Sequence, residues 1–193
     1  MKKFNRLNEL KIQDNGTLSQ LCLQRGISNF QELANFLRYL PYGRTTSRTN
    51  ATQLFTENKG TCSSKHGLFK SVAIENNFQE FKLIIGLFKM NNKNTPGIKD
   101  ALTKFTLDFM PEAHTYIRIG EETLDLTNIT SSFENIKSDI IEELEIQPSQ
   151  IGAFKVDYHK RFLKKWIANE GIPYDFDTVW ELRENCISNL SSL

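Results

Sequence analysis

Apolar residues recur at three- and four-residue spacing along much of the chain, the period of a helix with one buried face. Leu18, Leu21 and Cys22 follow Thr17 and stop near Gly26. Phe30, Leu33, Phe36, Leu37 and Leu40 follow a capping Asn29 and stop at Pro41. A short helix is expected at 52–57, and Leu68, Phe69, Val72 and Ala73, with Ile74 beside them, predict one that starts at or next to Cys62 and runs to Glu75. Others are expected at 96–105, with Pro96 in the first turn, at 131–136, at 158–168 before Gly171, and at 176–190. The last carries a stripe of Val179, Leu182, Cys186 and Leu190.

Strand patterns interrupt this series. Residues 81–90, Phe-Lys-Leu-Ile-Ile-Gly-Leu-Phe-Lys-Met, are nearly continuous in apolar, β-branched and aromatic side chains, as an interior strand covered on both faces requires. His114-Thr115-Tyr116-Ile117-Arg118-Ile119 and Glu122-Thr123-Leu124-Asp125-Leu126-Thr127 alternate about Gly120-Glu121, a hairpin with glycine at the first position of a type II′ turn. The register pairs Ile119 with Glu122, Ile117 with Leu124, and Tyr116 with Asp125. One face then carries Ile117, Ile119, Leu124 and Leu126, and the other carries His114, Tyr116, Arg118, Thr123, Asp125 and Thr127. His114 and Asp125 become diagonal neighbours within side-chain reach. Residues 140–146 predict an edge strand, exposed at Glu142, Glu143 and Glu145. Residues 148–152 predict a turn and 153–156 a short strand leading into the next helix. Helices and strands in this order, without repeats or linkers, imply one α+β domain of 193 residues.

Composition narrows the partners. Lys and Arg number 24 against 23 Asp and Glu, so no global field draws the chain to nucleic acid or to an anionic membrane. The basic stretch at 155–165, including His159, reads as a solvated helix face. No apolar run reaches the ~18 residues that span a bilayer. Met1-Lys2-Lys3-Phe4-Asn5-Arg6 is not followed by the apolar core of a signal peptide. The three cysteines, Cys22, Cys62 and Cys186, are odd in number and far apart, which disfavours a disulfide framework or a zinc site. A cytoplasmic protein with reduced thiols, and without metal or cofactor, is expected.

Cys22 and Cys186 lie on apolar helix stripes and read as core. Cys62 differs because it stands at a helix start, where free N–H groups and the helix dipole favour a thiolate. Such a site brings a cysteine pKa from about 8.5 to roughly 3.5–7.5. A small buried cysteine capping a core helix is the other reading of the same stretch. A thiol nucleophile needs a base and a group that orients it, and His114 with Asp125 supplies both in a plausible layout. The Cys62 N–H would donate to the oxyanion. His66, four residues after Cys62, would have to reach back one turn to act as base and reads as a bystander on the helix. One Cys/His pair is too few ligands for zinc. Ser64 lacks the glycine elbow of a serine hydrolase.

Gly60-Thr61-Cys62-Ser63-Ser64-Lys65-His66, His114-Thr115-Tyr116-Ile117 and Leu124-Asp125-Leu126-Thr127 resemble, in order and interval, the Cys, His and Asp segments of transglutaminase-like proteins. The resemblance covers about 37–128. It implies a papain-like arrangement, with the cysteine helix packed on an antiparallel sheet and further helices on either side in sequence. It also implies Cys62 as nucleophile, His114 as base and Asp125 as its orienter, acting without a cofactor on a peptide or protein carboxamide. A Cys62 thioester would pass its acyl group to an amine or to water. Tissue transglutaminases typically carry Trp after the cysteine, where Ser63 stands here. The papain-like plan places a second oxyanion donor upstream, where Tyr42, Asn50 and Gln53 are the candidates. Because the family also holds peptidases, amidases, peptide N-glycanases and members without activity, a catalytically silent domain that binds peptides or proteins is the alternative.

Overall fold

β1 (Phe81–Met90) organises the computed structural model, which describes residues 5–190. Residues 1–4, read above as no signal peptide, and the Leu190 side chain of the last stripe lie outside the described residues. β1 pairs antiparallel with β2 (Met110–Ile119) on one side and β4 (Ile140–Ile146) on the other, and β3 (Glu122–Leu124) extends β2. The sheet order is β3-β2-β1-β4.

Seven α-helices among the described residues pack around this antiparallel sheet in an α+β fold. They are α1 (Thr17–Leu23), α2 (Phe30–Tyr39), α3 (Gln53–Glu57), α4 (Cys62–Glu75), α5 (Lys99–Lys104), α6 (Ala153–Glu170) and α7 (Phe176–Leu190). Successive strand residues point to opposite faces, so β1 serves two cores at once. Leu83, Ile85 and Leu87 join Ala113 and Ile117 of β2 under α2 and α4, where Phe30 meets Phe69 edge-on at 5.2 Å. Ile84, Phe88 and Met90 join Tyr116 in a second core with Leu163 and Trp166 of α6 and Val179, Leu182 and Cys186 of α7. Burial on both faces explains the unbroken apolar run in β1.

The hairpin has the register its alternation predicts, with Ile119 opposite Glu122 and Ile117 opposite Leu124. Gly120 takes φ 57° at the turn. The ladder ends at Leu124, however, so the predicted Tyr116–Asp125 pair does not form. Asp125 Oδ1 instead accepts from the Thr127 N–H (2.9 Å) and hydroxyl (2.6 Å), which turns the chain out of the strand. Three further expectations are corrected. α5 begins at Lys99 rather than Pro96, after Gly97 breaks the chain at φ 103°. The stretch 131–136 holds a single 3₁₀ turn, Phe133–Asn135. Residues 153–156 are the first turn of α6 and not a strand, because the 3₁₀ turn Pro148–Gln150 and Gly152 already aim the chain into the helix.

Candidate active site

A capping box sets the start of α4. The Ser64 N–H donates to the Thr61 hydroxyl (3.4 Å), and the Ser64 hydroxyl accepts from the Thr61 N–H (2.9 Å). Cys62 is thereby the first helical residue, with an N–H that has no partner inside the helix. Its side chain is buried, with the residue 8% exposed.

β2 brings His114 to this point, opposite Gly86 of β1. The His114 Nε2–H donates to Asp125 Oδ2 at 2.9 Å, while Thr127 holds the other carboxylate oxygen. Nδ1 is then the ring nitrogen left for Cys62, whose sulfur is a hydrogen-bond partner of His114. Burial disfavours charge on all three groups, and their mutual attraction, with Lys155 acting first on Cys62, reverses that effect. Asp125 is held well below the usual carboxylate range against the burial effect, chiefly by His114. For His114, burial lowers the pKa, but Asp125 and then Cys62 raise it to about 10. For Cys62, burial acts upward while Lys155 and then His114 bring the thiol down to about 6. At neutral pH the pair is a thiolate beside an imidazolium.

Lys155 is the residue that sequence reasoning missed. Its Nζ lies 2.6 Å from Ser63 Oγ and 3.8 Å from Cys62 Sγ, and it is buried rather than solvated. The same helix face buries His159, Leu163 and Trp166. Position 155 is four residues before His159 and eight before Leu163, so the signal was the stripe, continued backward through two charged-looking positions. His159, also read as solvated, donates from Nε2 to the Pro111 carbonyl at 2.8 Å and meets Trp180 edge-on.

His66 does not serve the sulfur, as its place on the helix predicts, but it is more than a bystander. It is fully buried and links α4 to the segment carrying Asp125. Its Nδ1–H donates to the Cys62 carbonyl (2.6 Å), and its Nε2 accepts from the Leu126 N–H (2.7 Å). Burial pushes its pKa down to about 4, so the ring is neutral and has no nitrogen free for the sulfur. Lys65 is likewise fully buried, donating to the carbonyls of Leu40 and Thr127 at 2.6 Å each. Burial lowers its pKa to about 8.

Of the three upstream candidates, Tyr42 alone lines the cavity over Cys62. Burial, then the charges of Cys62 and Glu112, keep it a neutral phenol. Asn50 turns its amide oxygen to the Thr52 N–H and hydroxyl, and Gln53 turns its own to the Ser47 N–H. Those oxygens hold the loop before α3, and neither residue reaches the cavity.

Cys62 and Lys155 border this cavity together, with Tyr42, Arg48 and Trp180 on its walls. His114 and Asp125 do not line it. Arg183 of α7 grips Glu112 of β2 with two bonds of 2.6 and 2.5 Å, and burial of the carboxylate is outweighed so that its pKa falls to about 2. Glu184 bridges Arg183 (2.7 Å) and Arg44 (2.5 Å) at the rim. Among the described residues no three His, Cys, Asp or Glu side chains are placed to hold a metal ion, and no helix is long and apolar enough to cross a membrane. Cys22 and Cys186 are buried, and burial pushes their thiols up to about 12 and about 11.

Comparison with models of known protein families, with curated proteins and with solved structures finds no match.

Proposed function

We propose that this chain is a thiol enzyme of transglutaminase-like, papain-like design that transfers or hydrolyses the acyl group of a peptide or protein carboxamide. The observation that carries the reading is the ordering of three groups from distant parts of the chain: Cys62 at a helix start, His114 beside its sulfur, and Asp125 2.9 Å behind the imidazole. A thiolate formed near neutrality is a competent nucleophile, and a histidine held by a carboxylate is a competent proton carrier.

In the proposed reaction the Cys62 sulfur attacks the carbonyl carbon, and the C=O π pair moves to oxygen, where the Cys62 N–H donates to it. As the intermediate collapses, the C–N bond breaks and the leaving amine takes the His114 Nδ1 proton. Water or a second amine then gives a proton to Nδ1 as it attacks the thioester, and the thiolate leaves. A nucleophile that must stay reduced fits a cytoplasmic site of action.

Labelling with an electrophilic amide mimic tests the proposal. Cys62 is expected to react selectively, Cys62→Ala to abolish labelling, and His114→Ala to slow it by about 10²-fold or more. Labelling of Cys22 or Cys186 with Cys62 inert overturns the reading.

A further inference from the structure

We propose that Lys155 is a further catalytic residue, whose ammonium group both holds Cys62 as a thiolate and donates to the oxyanion formed when that thiolate attacks a carbonyl. The inference rests on the reading of Cys62 as nucleophile.

The geometry carries it. A buried ammonium is unfavourable unless it is paired and hydrogen-bonded. Among the described residues, the side-chain acceptors of Lys155 Nζ are Ser63 Oγ at 2.6 Å and Cys62 Sγ at 3.8 Å. A hydroxyl does not neutralise a cation, whereas a thiolate does. An ammonium has three donors, so after Ser63 and the sulfur one remains for the cavity that Lys155 and Cys62 share. An oxygen on the carbon bonded to Sγ comes within hydrogen-bond reach of Lys155, 3.8 Å from that sulfur, when it lies on the side facing the ammonium. Asn50 and Gln53 do not reach the cavity and His114 does not line it; the Tyr42 phenol lines it but carries no charge, whereas Lys155 Nζ stands 3.8 Å from the sulfur.

Charged and titratable groups from every neighbouring element bear on the pair. His114 and Asp125 lie beyond the sulfur, and His66 and Lys65 follow on α4. Glu112 of β2 opposes the thiolate but is gripped by Arg183 of α7, beside His159 of α6. Tyr42, Arg44, Arg48 and Glu184 complete the cavity rim. During attack the new S–C bond forms from the sulfur lone pair and the carbonyl π pair moves to oxygen. The Lys155 N–H that faces the sulfur turns to the oxygen as the charge moves. His114 remains the proton source for the leaving amine.

Two probes separate the two roles. Iodoacetamide alkylates a thiolate without an oxyanion, whereas p-nitrophenyl acetate acylates it through one. In the parent protein Cys62 alkylation, followed by peptide mass spectrometry, is expected to rise through pH about 6. In Lys155→Gln, which keeps a donor for Ser63 and loses the charge, the midpoint should move upward by about 1–3 pH units. Acylation by the ester at a pH where Cys62 is fully ionised should fall by about 10²-fold. Lys155→Arg should restore the midpoint, which a purely structural role would not require. Lys155→Met repeats the measurement if the glutamine variant does not fold. A folded neutral variant in which either the midpoint or the high-pH acylation equals the parent's overturns the proposal. Inert Cys62 in the parent protein defeats the nucleophile reading itself, a different and separately visible failure.

Discussion

His66 and His114 are both enclosed, yet they titrate in opposite directions because their neighbours differ. His66 meets a carbonyl and an N–H, which the neutral ring satisfies, and burial outweighs Asp125, 3.7 Å away, to take its pKa down to about 4. His114 meets a carboxylate and a thiolate, and these overcome burial to bring it to about 10. Side-chain NMR should therefore show His66 neutral from pH 5 upward and His114 protonated until about pH 10. The folded pKa of His114 exceeds its unfolded value near 6.5, so the stability it contributes is complete below that pH and is lost as pH rises through about 10. A second expected outcome concerns His66→Phe. It leaves the buried Leu126 N–H without an acceptor, and denaturant unfolding should register a loss of about 1–3 kcal/mol. The link that His66 makes was hidden in the sequence for a definable reason. Its partner Leu126 is 60 residues away, whereas Cys62, its neighbour in sequence, engages it through the backbone carbonyl rather than the sulfur.

At the scale of elements, alternation carried more information than helical stripes did. The hairpin register followed from period-two patterning and one turn glycine, since a slip by one residue would have turned Ile117 and Leu124 to the wrong face. The end of β3 was hidden because it is set by a side-chain bond, Asp125 to Thr127, that competes with the ladder. In β1 the glycine at 86 has a steric reason, since a Cβ there would strike the Tyr116 phenol. Tyr116 in turn donates to Glu143 of β4 and lies next to the His114 ring, 6.1 Å between centroids. Gly86→Ala should then destabilise the fold by about 1–3 kcal/mol in thermal unfolding, with Tyr116 displaced. α6 misled for the opposite reason. Its lysines, arginine and histidine suggested a wet surface, but the buried stripe passes through Lys155 and His159, whose charged or polar ends find partners on other elements.

For the whole molecule, the decisive pairings join elements far apart in the chain, and local pattern does not encode them. Glu112 of β2 and Arg183 of α7 form an enclosed ion pair between the second core and the cavity, with side chains 7% and 12% exposed. Removing one member strands the other in a poorly solvated place. Glu112→Gln is expected to lower stability by about 3–5 kcal/mol, whereas breaking the exposed Lys82–Glu145 pair should change it by under about 1 kcal/mol. Since the folded pKa of Glu112 lies at about 2, below its ordinary value, its contribution is present above about 4.5 and lost as pH falls through about 2. Acid unfolding of the parent protein should accordingly be steeper than that of Glu112→Gln.

Lys155 lies 93 residues after Cys62, beyond every strand of the sheet. During synthesis the cysteine, histidine and aspartate all leave the ribosome before the helix that completes their surroundings. On the proposed reading, an arrested chain ending before α6 would hold the same three side chains with a less acidic thiol. The order of the elements would thus delay full reactivity until the C-terminal helices have docked, and a half-made chain would be spared its own nucleophile.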